Sequence, residues 1–166
     1  MNIDELIKRL DLQPHPEGGY FRETYRSNAV LTAQALPVRY GGDRAFGTAI
    51  YYLLTPDTFS VMHRLSTDEV YHFYLGDAVE MLLLRPDGTS QQLVLGHDLT
   101  AGEHVQFVVP RMWWQGCRVR HGGKFALLGC TMAPGFDFAD FEEGKRAELE
   151  PAYPDAKELI HALTRL

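Results

Sequence analysis

Apolar residues recur in two different rhythms along this chain. Near the start, Ile3, Leu6, Ile7 and Leu10 fall at helical spacing, and at the far end Leu159, Ile160 and Leu163 do the same. Between them, apolar positions come in short runs rich in β-branched and aromatic side chains, at the length expected of strands. The helical spacing predicts an entry helix within residues 1–13, ended before Pro14, with Asp4 and Glu5 at the positive end of its macrodipole. A second helix is predicted after Pro154-Asp155, closed by Arg165. Strands are predicted over residues 20–26, 47–54, 60–64, 69–75, 78–85, 90–95, 104–109, 115–119 and 125–132, separated by turn pairs such as Gly76-Asp77, Asp87-Gly88 and Gly122-Gly123. Residues 29–42, with Pro37 and Gly41-Gly42, read as a long surface loop, and the acidic stretch 137–151 as a solvated segment packed outside the strands. The class is all-β, and alternation alone leaves an immunoglobulin-like sandwich, a lipocalin barrel and a jelly roll open.

Size and charge narrow the functions. A chain of 166 residues is long enough to bury its own core as one domain, and 45% hydrophobic against 23% charged residues is ordinary for a globular protein. No apolar run reaches the roughly 18 residues of a spanning helix, and Asp4 and Glu5 stand where a signal peptide carries base, so a cytoplasmic protein off the membrane is expected. In that compartment Cys117 and Cys130 read as small buried hydrophobes rather than a disulfide. Sixteen basic against 22 acidic residues opposes a nucleic-acid partner, and the nearest basic group, Arg111, Arg118, Arg120 and Lys124, is interrupted by apolar residues.

The candidate chemistry begins at His63-Arg64-Leu65-Ser66-Thr67-Asp68-Glu69, which continues to Gly76. This resembles the first motif of the cupins, G-x5-H-x-H-x3-4-E-x6-G, with the first His, the Glu and the closing Gly in place and Leu65 where the second His belongs. Downstream, Gly102 and Pro110-Arg111-Met112-Trp113-Trp114-Gln115 are similar to the second motif, with Met112 for its Gly and Gln115 for its His. The opening His15-Pro16-Glu17-Gly18-Gly19-Tyr20-Phe21-Arg22-Glu23-Thr24-Tyr25-Arg26-Ser27, with Ala133-Pro134-Gly135-Phe136, resembles a small cupin family that has a fold but no settled reaction. The resemblance runs from about Leu6 to Phe141. It implies a cupin jelly-roll barrel, a double-stranded β-helix, over residues 15–135, with a C-terminal extension over 136–166.

In a closed barrel every second strand residue faces the lumen. Setting Glu69 inward takes Tyr71 and Phe73 inward and turns His72 out, while Gln115 brings Cys117 and Val119 to its own face. The expected cavity therefore has His63, Glu69 and Gln115 at a polar end, walled by Tyr71 and Phe73. In the opening strand Tyr20, Arg22 and Thr24 share one face, and Arg22 is suited to clamp a carboxylate or phosphate, or to pair with Glu23. His15, in a Pro-flanked loop, is a weaker candidate, and of Trp113 and Trp114 at most one lines a given surface.

Cupin metal sites usually offer three imidazoles and a carboxylate. Here Leu65 cannot ligate and an amide is a weak donor, so no tight cofactor is expected; a divalent metal, if held, would use His63, Glu69 and Gln115. Three functions remain open. The first is a metal-free isomerase or epimerase acting on a sugar derivative or keto compound, with His63 as base and Glu69 or a tyrosine as acid. The others are a non-catalytic binding module and a metal-dependent oxygenase or isomerase. The expected ligand is a small polar or anionic molecule, and short jelly-roll edges suggest a homodimer.

Overall fold

The computed structural model describes residues 2–165. In chain order it contains α1 (Ile3–Leu10), β1 (Gln13–Pro14), β2 (Tyr20–Arg26), β3 (Val30–Leu31), β4 (Arg44–Ala45), β5 (Thr48–Leu54), β6 (Phe59–Arg64) and β7 (Glu69–Gly76). There follow β8 (Val79–Leu84), β9 (Ser90–Leu95), β10 (Gln106–Val109), β11 (Trp114–Val119), β12 (Ala126–Met132), β13 (Glu142–Glu143), α2 (Arg146–Ala152) and α3 (Lys157–Ala162). Antiparallel pairing assembles one sheet in the order β1-β2-β5-β12-β7-β10 and a second in the order β13-β6-β11-β8-β9. The two sheets enclose the all-β jelly roll expected from the sequence.

The inner faces meet in a core of Tyr52, Leu54, Tyr71, Phe73 and Leu128 from one sheet and Val79, Met81, Leu83 and Cys117 from the other. Both outer faces are covered as well, by helices. Leu6 of α1 packs on Leu53 and Leu127, while Leu149, Ile160 and Leu163 from α2, α3 and the following residue pack on Met62, Leu82 and Leu84. That double covering explains the unbroken run Leu82-Leu83-Leu84, because a strand buried on both faces loses its polar alternation. The start of α1 is fixed by a reciprocal cap: Asn2 accepts the Asp4 N–H and Glu5 accepts the Asn2 N–H.

Strand limits follow the hydrophobic rhythm closely, with 20–26 and 90–95 reproduced residue for residue. Two loop readings are corrected. The stretch 29–42 holds β3, two 3-10 turns and a buried Tyr40, and just beyond it Arg44 is buried too. Residues 137–151 are not simply a solvated acidic face: α2 begins at Arg146, and Asp140 is buried against Arg44, accepting from Nη2 at 2.6 Å and from Nε at 2.7 Å. A carboxylate with a buried guanidinium partner satisfies its charge without water, and residue type alone does not reveal such a partner.

Candidate active site in the barrel interior

The site is assembled by backbone contacts before any side chain enters it. Gly18 has φ +112°, and a Cβ there would lie 1.9 Å from the Phe59 carbonyl oxygen, so glycine lets the opening segment press directly on β6. The Tyr52 hydroxyl donates to the Gly18 carbonyl at 2.9 Å. Glu17 is thereby delivered to the barrel interior, where its side chain accepts from the Ser60 hydroxyl at 3.2 Å.

β6 is not a regular strand. Its partner β11 aligns Gln115 with His63 and Cys117 with Ser60, leaving one extra residue on β6 around Val61 and Met62. This β-bulge frees main-chain groups that a ladder would consume. The Val61 N–H donates to the Glu17 carbonyl at 3.0 Å, and the Val61 carbonyl, 2.7 Å from His63 Nδ1, accepts the imidazole proton. Met62 turns outward and binds the C-terminal extension, its N–H donating to Leu163 and its carbonyl accepting from Gly144.

With Nδ1 committed as a donor, His63 presents Nε2 to two carboxylates: Glu17 Oε2 at 3.6 Å and Glu69 Oε2 at 4.0 Å. The ring is 1% exposed. Burial by itself would push its pKa down, but Glu17, Glu69 and the Val61 carbonyl outweigh burial and raise it to about 9. The two carboxylates thus favour the protonated ring at neutral pH. Glu69 is held by Gln115, whose Nε2 donates at 2.9 Å to the same oxygen, Oε2, that faces His63, leaving Gln115 Oε1 buried without a partner among the described residues.

These groups face a cavity of about 280 Å³ whose lining includes His15, Glu17, His63 and Glu69 within and Phe136 and Phe138 toward the outside. Residues 136–143 form its roof. Phe141 stacks on His63 at 5.3 Å between ring centroids, and the Arg44–Asp140 pair, the Arg64–Glu142 pair and an Arg26 donation to the Phe136 carbonyl at 3.1 Å hold the segment down.

A profile of the family Cupin_5, described as cupin superfamily (DUF985), matches residues 4–143. The chain belongs to this family. Among relatives, the uncharacterized protein YML079W of Saccharomyces cerevisiae (strain ATCC 204508 / S288c) is 32% identical over 148 residues, 84% of this chain and 73% of that protein. The crystal structure of SO0799 from Shewanella oneidensis superposes with a TM-score of 0.88 at 36% identity, covering 99% of this chain and 98% of that one. A hypothetical protein from Leishmania major gives 0.89 at 30% identity over the full length of both chains. Bacillus subtilis oxalate decarboxylase matches at a TM-score of 0.54 and 15% identity over 92% of this chain and 37% of that one, a likeness of fold alone.

In this DUF985 cupin the structure brings His63, Glu69 and Gln115 together and turns His72 outward, where Nε2 meets the Thr131 hydroxyl at 2.9 Å. Tyr71 and Phe73 do face inward, but they pack in the apolar core beyond the cavity lining. Tyr20 and Arg22 are not brought in. They lie on the outer face of β2, Tyr20 in the cluster under α1 and Arg22 over the Tyr51 ring at 5.6 Å, because the apolar stripe of α1 needs that face as its floor. Phe21 and Glu23 line the cavity instead. Trp113 packs against the inner core and Trp114 against the C-terminal helices, with Arg64 over its ring at 4.4 Å. The sequence puts Glu17 only at the edge of a candidate wall running from Glu17 to Arg22, gives it no chemical role, gives Phe141 no site role and ranks His15 low. The two glycines after Glu17 were the available signal, since they mark a place where backbone meets backbone.

The donor set does not suit the metal that many cupins hold. Leu65, 3% exposed, occupies the second imidazole position and lines the cavity with a hydrocarbon surface. His63 Nε2 is turned to two carboxylates as an ion-paired donor, and among the described residues no group of three His, Cys, Asp or Glu side chains converges as metal ligands. Burial pushes the two thiols, Cys117 and Cys130, well above the ordinary thiol range. Among the described residues no helix is long and apolar enough to cross a membrane.

Proposed function

We propose that this cavity binds a small hydroxycarbonyl compound and isomerises or epimerises it by proton transfer between its own side chains and the ligand. The observation that carries the reading is the buried His63 ring set between Glu17 and Glu69 at the wall of a partly open cavity. A carboxylate takes the proton from the carbon next to the carbonyl, the C–H electron pair forms the carbon–carbon bond of an enediol, and His63 Nε2 gives its proton to the carbonyl oxygen. Returning a proton to the same carbon from the other face yields the epimer; returning it to the neighbouring carbon yields the isomer, and His63 recovers its proton in either case. The roles are the reverse of those expected from sequence, where His63 was the base. A ring whose pKa is about 9 holds its proton at neutral pH and serves as the acid, so the base is Glu17 or Glu69. The cavity, at about 280 Å³, sits near the lower end of the roughly 300–1,000 Å³ typical of ligand pockets and suits a compound of sugar size or less.

The test is deuterium incorporation from D₂O into a panel of ketoses, aldoses and keto acids, followed by proton NMR. The parent protein is expected to exchange the hydrogen next to the carbonyl of at least one panel compound, and Glu17→Gln, Glu69→Gln and His63→Gln together should locate the base and acid through losses of about 10²–10⁴-fold. Compounds that bind without exchange would leave a non-catalytic binding module and end the isomerase reading.

A further inference from the structure

His15 shares the cavity with His63 and is held in the opposite manner. Its Nδ1 accepts the Glu17 N–H at 3.1 Å, so the neutral ring carries its proton on Nε2. The side chain is 6% exposed and lines the cavity, and its ring is pinned edge-on against Phe21 at 4.4 Å and Tyr52 at 5.7 Å. Nε2 makes no hydrogen bond to any described residue. Nε2 is open to the cavity and unclaimed by the protein, so it is free to donate to a ligand oxygen held there. Burial lowers the pKa of His15, with the nearby Glu17 opposing the shift, in keeping with the neutral ring that the Nδ1 acceptor requires.

The charges around the cavity restrict what that oxygen belongs to. Four acids, Glu17, Glu23, Glu69 and Asp137, line it against two basic side chains, Arg26 and His63, so acids outnumber bases by two. Neither cation is spare. Arg26 is bidentate on Glu23, at 2.9 and 2.7 Å, and also donates to Phe136, while His63 is shared by two carboxylates.

We infer that His15 is a ligand-binding donor whose Nε2–H reads a hydroxyl or carbonyl oxygen of an uncharged hydroxycarbonyl compound, and that the cavity selects against phosphorylated or carboxylated analogues. This rests on the cavity reading above, and it concerns recognition rather than turnover, so binding and not exchange is its readout.

Two substitutions separate the nitrogens. His15→Asn keeps an acceptor near the Nδ1 position for the Glu17 N–H and removes the distal donor; His15→Gln extends an amide toward the Nε2 position and gives up the proximal acceptor. The full-length protein is titrated by saturation-transfer NMR with dihydroxyacetone, erythrulose, xylulose and glucose, each beside its phosphate ester. The best uncharged probe is expected to bind at least about tenfold more tightly than its ester, with His15→Asn weakening it by about tenfold or more and His15→Gln by about threefold or less. Long-range nitrogen NMR of the parent supplies a check independent of both variants: Nδ1 should report an unprotonated nitrogen, and the bound probe should shift Nε2. Equal losses in the two variants, preference for an ester, an Nε2 resonance indifferent to the probe, or no binding across the panel would each overturn the inference. Binding with the expected pattern but without deuterium exchange would sustain it while removing the isomerase reading.

Discussion

Along β7, Glu69 and Tyr71 point into the same interior two residues apart, yet Glu69 meets an imidazolium and an amide while Tyr71 meets the hydrocarbon core. The step from Gln115 to Cys117 on β11 crosses the same boundary. Strand alternation delivers all four residues inward and does not distinguish them. The polar end differs because two segments outside the regular ladder reach it: the opening stretch with His15 and Glu17, and the roof with Phe138 and Phe141. The apolar end is closed by packing between the sheets alone. One end therefore owes its stability to shape, and the other in part to a proton.

The largest expected effect falls at the apolar end. Leu83 is fully buried, and Leu83→Ala should cost about 2–5 kcal/mol in urea unfolding, because neighbouring side chains only partly collapse into the space. Probe binding should be unchanged, since Leu83 is not part of the cavity lining. A variant that loses binding while staying folded would erase the division between the two ends.

The proton at the polar end comes next. His63 is raised from 6.5 to about 9, so its contribution is fully present below the unfolded value and fades as pH climbs through the folded one. The linkage amounts to about 3 kcal/mol lost between roughly pH 6.5 and 9. Urea midpoints should fall across that window in the parent and in Leu83→Ala alike; in His63→Gln the fall between about pH 6.5 and 8 should be lost, leaving above it the decline that the raised thiols of Cys117 and Cys130 impose. A parent midpoint flat over the same range would show that His63 is not charged in the folded protein.

The smallest effect belongs to the roof edge. Arg64 and Glu142 are paired at 2.7 Å with side chains 31% and 54% exposed, so Glu142→Gln should cost less than about 1 kcal/mol by thermal or urea unfolding. A larger loss would mean that the roof hangs on this surface pair rather than on the buried Arg44–Asp140 pair.

The apolar end was legible in the sequence nearly in full, because the hydrophobic runs that make strands also make its core. Parity placed Cys117, Val119 and Tyr71 inside and His72 outside, and each lies there. The polar end was legible only where a motif spacing reached it, at His63, Glu69 and Gln115. Tyr20 and Arg22 were grouped correctly on one face, but which face turns inward depends on where α1 lies, and that is a contact between elements. Glu17 was hidden for a similar reason: it enters through main-chain bonds to Val61, and backbone bonds leave little trace in residue type. Phe141 reaches His63 from 78 positions down the chain, across a roof that the acidic composition had disguised as solvated surface.

The bulge on β6 bears on how such chains are compared. Its extra residue lies just before His63, so the spacing from His63 through Glu69 to Gly76 is counted without it. Dropping Val61 would restore strict alternation and still leave Ser60 and His63 on one face, with every letter of that spacing intact. What would go is the amide that anchors Glu17 and the carbonyl that holds the imidazole proton. A single codon thus separates this barrel from one with the same His63-to-Gly76 spacing and a dismantled site.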